Sequence, residues 1–484
     1  MAKSVTRNYL YNVIYQVLAL ITPFITTPYI SRVLGASGIG IYSYTFSIVT
    51  YFVILGSLGI ADYAQREIAY NRDNPKRQSK VFFEMFLLRI ITTAVSLILY
   101  YWFVSVKFDD KSMYYLQALN IVSLLFDISW FFQGLEEFGK IILRNIIVRI
   151  FNVVLILSFI RRADDLYLYI FLMGIMNIIG GISMFPYLRR HLCGFDIRGF
   201  KPFHDFRVII QMFLPQIAIQ MYTVLDKTML GVITGSSLEN GYYEQAEKIA
   251  KIPLTIVTAL GIVMLPRISY LYANHDYEKL KWYMMRSYRF VWFLGIPLMF
   301  GIMGIAENAL PWFLGQGFDE SVILLQVFSV LIIAIGLSNV TGIQYMVPTN
   351  QQNKLSITLL AGAAFNFVMN LFMIQHYMAL GAAITSVITE VLITVMQFIF
   401  VRKFFSIEDI IKMSAKYFAA GVIMFVGIYM MGRSLLPVFR NTVFLVMFGA
   451  VLYLGILYWM KDKFFLGMCC KIRDKYRIFI CKRF

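Results

Sequence analysis

Apolar residues run for about 20 positions at a time along this 484-residue chain, and short polar breaks separate the runs. That is the length a helix needs to cross about 30 Å of hydrocarbon. The pattern predicts fourteen spans: 10–30, 41–61, 81–104, 114–134, 141–160, 166–187, 209–231, 245–271, 288–308, 321–346, 355–374, 379–401, 412–432 and 441–460. A barrel needs short segments alternating between apolar and polar, and these runs are apolar on both alternations. A helix satisfies its own backbone hydrogen bonds in lipid, so the expected class is an all-α integral membrane bundle. No cleavable signal is expected, because the first apolar run continues well past fifteen residues.

Composition agrees with that solvent. Hydrophobic residues make up 59% of the chain and charged residues 15%, against about half and a quarter in soluble domains. The net charge of +17 does not point to nucleic acid, since the lysines and arginines sit in the breaks between apolar runs. With the N-terminus inside, 32 of the 44 fall on inner segments and 7 on outer loops. The positive-inside rule then places both termini in the cytoplasm of a multi-pass protein of the cell (inner) membrane. Cys193, Cys469, Cys470 and Cys481 all lie on that reducing side. No ligand spacing surrounds them, so neither metal nor cofactor is expected. The tail from Lys461 alternates basic and aromatic residues, as a lipid-surface segment does.

The chain also repeats itself. Gly40 and Tyr42 map onto Gly241 and Tyr243 at an offset of 201, and Arg66 maps onto Arg267 at the same offset. Pro23 and Gly35 find Pro215 and Gly231 at slightly smaller offsets, which calls for a small insertion in the outer loop. Six spans per copy is an even number, so the copies keep one topology and read as parallel repeats with a substrate site between them. The expected organisation is an N-lobe over 1–200, a C-lobe over 201–403, and two further helices with the basic tail over 404–484.

The stretches PYISRVLGASGIGIYSY (28–44), DISWFFQGLEEF (127–138) and LDKTMLG…GYYEQAEKIAKIP (225–253) resemble polysaccharide-repeat flippases. These form the O-antigen and capsule (Wzx-type) branch of the multidrug/oligosaccharidyl-lipid/polysaccharide exporter superfamily. The resemblance implies a 6 + 6 + 2 helix arrangement, alternating access, and outward transfer of an undecaprenyl-diphosphate-linked oligosaccharide. It implies membrane lipids as surroundings, and a polysaccharide polymerase and chain-length proteins as partners. Two departures separate the chain from relatives. Lipid II flippases carry an Arg-Asp pair where Thr26 and Thr27 stand, and residues 10–31 lack the carboxylate of one drug-exporter branch. A cation-coupled multidrug exporter is the alternative reading. A polysaccharide polymerase is a weaker one, for no loop here exceeds about twenty residues. No P-loop is present, and the chain reads as a transporter and not an enzyme.

A diphosphate crossing lipid calls for cations in a hydrated cavity, and charges inside spans are costly enough to have a task. Candidates for head-group binding are Arg149, Lys227, Lys248, Lys251 and, at the outer mouth, Arg32. Glu244–Lys248 and Glu247–Lys251 have i,i+4 spacing on one helical stripe. That stripe reads either as an outer loop or, through the repeat, as membrane-depth helix facing water. Asp127 and Arg149 stand eleven residues either side of a hairpin centred near 138, which predicts a pair. Asp226, Glu244 and Glu390 are the remaining candidate coupling acids. Glu84 and Arg89 read as a surface pair. Pro23 and Pro28 loosen span one as a hinge, and Gly35 and Gly40 turn it into span two.

Overall fold

The protein is described by a computed structural model over residues 2–193 and 200–470, with the side chains at 2–17, 19–20, 214–216, 218–223 and 262 left out of the description. The tail from residue 471, with Cys481, lies outside it, as do the side chains of Lys3, Arg7 and Pro215.

Every regular element among the described residues is helical. Unequal lengths mark the order: α1 (Ala2–Ser57), α2 (Ile60–Tyr70), α3 (Pro75–Lys107), α4 (Ser112–Phe126), α5 (Ser129–Gly134), α6 (Phe138–Phe159), α7 (Leu166–Ile182), α8 (Phe185–Leu188), α9 (Phe206–Thr234), α10 (Ser237–Ala273), α11 (Tyr277–Leu314), α12 (Glu320–Ser329), α13 (Leu331–Asn339), α14 (Gln352–Val401), α15 (Ile407–Gly432) and α16 (Phe439–Trp459). At 1.5 Å per residue a straight α1 would run about 80 Å, far beyond a bilayer. It breaks at Gly35 (φ 67°, ψ 176°), and the 50-residue α14 breaks at Met378 (φ 50°, ψ −129°). Eleven described stretches are long and apolar enough to cross a membrane. The two 50-residue stretches among them contain these breaks, so each is long enough for two crossings, and the 29-residue α9 is a further helix of spanning length. The expectation of fourteen spans holds.

The chain divides into two compact units, Met1–Glu244 with Asn370–Ala379, and Gln245–Met369 with Leu380–Phe484. In the first, Ile60, Phe82, Trp130, Phe131 and Phe132 form one core. Ile48, Val49, Tyr100 and Ile121 form another. In the second, Tyr288, Phe398 and Phe405 anchor one core, and Ile296, Tyr417, Met424 and Leu445 the other. Water does not drive helices together in lipid, so small and hydroxyl residues matter more. Ser96 donates to the Phe52 carbonyl (2.5 Å) and Thr92 to that of Gly56 (2.8 Å), which binds α3 to α1.

The glycines divide their labour. Gly35 alone makes the turn. Gly40 lies in regular helix after it, where the α1 backbone crosses the start of α10. A Cβ on Gly40 would collide with the Ser237 carbonyl, and one on Gly241 with the Ala36 carbonyl. At an offset of 201 these two contacts are the same contact exchanged, as a local two-fold relation requires. The mapping of Gly35 onto Gly231 is corrected: Gly231 is helical, and Gly235 (φ 62°) closes α9 in the left-handed region. Gly35 and Gly235 then correspond at an offset of 200, one short of Gly40 with Gly241, while Pro23 with Pro215 stays at 192.

Candidate functional site

Three consecutive residues of α9 engage three different sets of partners. Successive positions on a helix point about 100° apart, so Asp226 and Lys227 face different neighbours. Lys227 Nζ pairs with Glu244 Oε2 of α10 at 2.6 Å, and Ser43 Oγ of α1 donates to the same oxygen at 2.8 Å. Asp226 accepts from the Tyr243 hydroxyl at 2.7 Å and from Asn370 Nδ2 of α14 at 2.6 Å. Thr228 Oγ1 accepts from the Tyr51 hydroxyl at 3.0 Å and donates to Ser47 Oγ at 2.8 Å.

The environments of the two acids differ. Asp226 is 6% exposed, and the Tyr243 hydroxyl and the Asn370 amide both donate to its carboxylate. Glu244 is held by a cation. The Lys227 and Glu244 side chains keep 17% and 20% of their surface, enough for solvent to reach the pair. An anion arriving there would compete with Glu244 for the Lys227 ammonium. Ser43 and Glu244 are themselves repeat equivalents, and so are Tyr42 and Tyr243.

Sequence reasoning missed Ser43, Tyr243, Asn370 and Thr228 as members of this centre. The offset of 201 was the available signal for the first two. Asn370 follows Asp226 by 144 residues in an apolar span, and nothing local announces it. A second polar chain was also missed: Gln117 donates to Thr45 Oγ1 (3.1 Å), and Asn120 donates to Gln117 Oε1 (2.9 Å). Beside these, a cavity of about 460 Å³ is lined by Gly40, Thr45, Asp109, Asp110, Gly231 and Asn240.

The other candidates lie elsewhere. Lys248, Glu247 and Lys251 belong to α10, which is helical from Ser237, so this stripe is helix and not irregular loop. Glu247 and Lys251 form the expected i,i+4 pair at 2.6 Å, with Lys251 half exposed. The Asp127–Arg149 pair is corrected. Asp127 pairs with Arg144 Nη1 at 3.7 Å and accepts from Ser129 Oγ at 2.5 Å. The reason is a break in the expected helix: α4 ends at Phe126, and Asp127 turns extended (φ −80°, ψ 96°) to cap Ser129 N–H. Counting residues from 138 then no longer measures depth, and Arg149 lies half-buried farther along α6. Arg32 is exposed near the end of the first arm of α1, and Glu390 is half-buried on the second arm of α14. Arg89 is 3% exposed and donates to the Ser57 carbonyl at 3.3 Å, so it is no surface residue. Glu84 accepts instead from Lys201 N–H at 2.7 Å. Among the described residues no three His, Cys, Asp or Glu side chains converge as metal ligands.

Comparison with known proteins follows the same lines. A protein of Escherichia coli (strain K12) named "Putative O-antigen transporter" is 24% identical over 82% of this chain and 97% of its own length. One of the same name from Shigella dysenteriae is 22% identical over 77% of this chain and 93% of its own. The fold is shared with the lipid II flippase MurJ in its inward closed conformation (TM-score 0.68, 14% identity, 94% of this chain and 99% of that one). It is shared also with an inward-facing multidrug resistance MATE family transporter of the MOP superfamily (TM-score 0.64, 14% identity, 82% and 96%). The profile described as "Polysaccharide biosynthesis protein" matches residues 5–272, more than half of the chain. This chain is therefore a member of the polysaccharide biosynthesis protein family, built on the fold of MurJ and the MATE transporters.

Proposed function

We propose that the protein is a flippase that carries an undecaprenyl-diphosphate-linked oligosaccharide from the inner to the outer leaflet of the cytoplasmic membrane, for a surface polysaccharide. The observation that carries the reading is the solvent-reachable Lys227–Glu244 pair inside apolar helices of a chain from this family. Relatives named as O-antigen transporters support the substrate class. In this reading the lobes over 1–200 and 201–403 exchange access, and residues 404–484 stand outside the exchange. Lys227, Lys248, Lys251, Arg149 and Arg32 attract the diphosphate. Pro23 and Pro28 let span one bend. Polymerase and chain-length proteins take up the product outside.

The test is translocation of lipid-linked oligosaccharide by the purified chain in proteoliposomes, scored by accessibility of the sugar to an outer enzyme. Protein-dependent exposure of the sugar supports the reading. Export of cationic dyes driven by a proton or sodium gradient, without sugar exposure, replaces it with the multidrug alternative. Charge reversal of each lysine to Glu should abolish complementation of a flippase-null strain. Reversal of exposed Lys76 serves as the control.

A further inference from the structure

The second unit carries a basic pocket at its face rich in lysine and arginine. The first turns of α11 supply Trp282, Arg286 and Arg289, and the short helix over 463–470 supplies Lys463 and Phe464, around a cavity of about 310 Å³. That short helix is fixed in place. Asp462 caps it by accepting from Phe465 N–H at 2.9 Å and accepts from the Tyr417 hydroxyl of α15 at 3.3 Å. The Phe464 ring meets Phe293 of α11 edge-on at 5.5 Å, and Phe465 stacks on the same ring at 6.3 Å. Four residues after Trp282, Arg286 lies over its indole at 5.2 Å and near Phe464 at 5.8 Å. Stacking occupies the faces of a guanidinium and leaves its in-plane N–H donors for an anion.

Among the described residues Arg286, Arg289 and Lys463 form no ion pair. The adjacent acid, Asp462, is 8% exposed and already engaged by Tyr417 and Phe465. Three cations around one cavity repel one another, and a multidentate oxyanion relieves that. The pocket also borders apolar space. Phe293, which packs on Phe464, lines a second cavity of about 450 Å³ with Pro297 and Gly301 of α11, Met424 of α15 and Gly449 of α16. Head-group chemistry and acyl-chain chemistry are thus one ring apart.

We propose that Arg286, Arg289 and Lys463 bind the phosphate of an anionic membrane phospholipid, with an acyl chain in the apolar groove of α11, α15 and α16. This is a resident-lipid site, separate from the transport reading and independent of it. The test is native mass spectrometry of the delipidated full-length chain, titrated with phosphatidylglycerol or phosphatidylcholine. A basic group near an anionic lipid is worth about fivefold in affinity, so the wild type should favour phosphatidylglycerol by roughly a hundredfold. The triple variant R286Q/R289Q/K463Q should bind both lipids alike, while K354Q, on another exposed basic residue, keeps the preference. R286Q alone leaves the Phe464–Phe293 contact and the Asp462 cap in place and should lose about fivefold, which tests the site by a single change. Equal binding of both lipids by the wild type would overturn the proposal. Displacement of phosphatidylglycerol by inorganic pyrophosphate below millimolar concentration would make it a free-anion site instead. Displacement by equimolar undecaprenyl diphosphate would give the pocket to the transported lipid.

Discussion

A lysine held by a glutamate in low-dielectric surroundings can be structural, functional or both, and a charge swap separates these. Removing one partner of a fully buried pair strands the other charge at a cost of about 3 kcal/mol or more, and a pair that solvent reaches costs less. K227E and E244K should each lower the thermal midpoint of the detergent-purified chain, and the double swap should restore it. Transport should stay lost in the swap, because the cation then sits on α10 and not α9. A swap that recovered both would make the pair a structural clip. Asp205 offers a second residue-scale test. Its carboxyl accepts from the Tyr63 hydroxyl at 2.6 Å and lies 2.9 Å from His204 Nδ1. The Tyr63 bond above all, with His204, holds its pKa below the ordinary value. The folded pKa is the lower one, so the stabilisation is complete above the unfolded value near 3.9 and is lost as pH falls through the folded one. D205N should flatten the decline in thermal midpoint between about pH 5 and pH 3, and an unchanged decline would exclude this carboxyl. At this scale the repeat carried a signal where it doubled a position, as for Ser43 with Glu244, although the bond between them emerged only from the structure. It was silent at Asn370, whose partner is set only by packing.

Helix breaks show which element-scale features a sequence announces. Gly35 was expected to turn and does, because φ 67° with ψ 176° is open to glycine and strained for any other residue. The break at Met378 was placed by length alone, since no helix of 50 residues fits one bilayer. The break at Asp127 went unread: its carboxylate takes the Ser129 N–H and hydroxyl, a local competition that apolar periodicity does not register. Two alanine substitutions now separate backbone conformation from space. At Gly35 a Cβ meets nothing within 4 Å, so G35A costs only left-handed strain, about 1–3 kcal/mol, seen as a lower thermal midpoint. At Gly40 the backbone is helical, and G40A must push α10 away from α1. We expect G40A to lose transport and weaken cross-linking between cysteines put in place of Ser37 and Ser237, whose hydroxyls lie 2.7 Å apart in the native chain. Retained cross-linking in G40A would mean the crossing yields elsewhere. Pro23 and Pro28, both inside α1, weaken its hydrogen-bond ladder. Replacing both with alanine should slow transport at unchanged membrane level, and unchanged transport would remove the hinge.

For the molecule as a whole, the remaining question is what drives net outward movement, and it turns on charge. With a cell interior at negative potential, moving an anion outward is favoured by about 2.3 kcal/mol per charge per 100 mV. A diphosphate with two uncompensated charges would gain about 4.6 kcal/mol per 100 mV, more than a thousandfold in the equilibrium ratio. No exchanged cation is needed, which suits a first span with no carboxylate between residues 10 and 31. The gain falls if a cation travels with the head group, because only net charge feels the field. At Lys227 the ammonium already has Glu244 as partner. Lending it to the diphosphate frees a carboxylate of equal charge, so the protein's own charge stays constant through the exchange. An inside-negative potential set with potassium and valinomycin should therefore support outward flipping in proteoliposomes without a proton or sodium gradient. Dissipating it should abolish net accumulation on the outer leaflet. Flipping that ignored potential but followed pH or sodium would reject this drive and direct attention to Asp226, Glu244 and Glu390 as coupling acids.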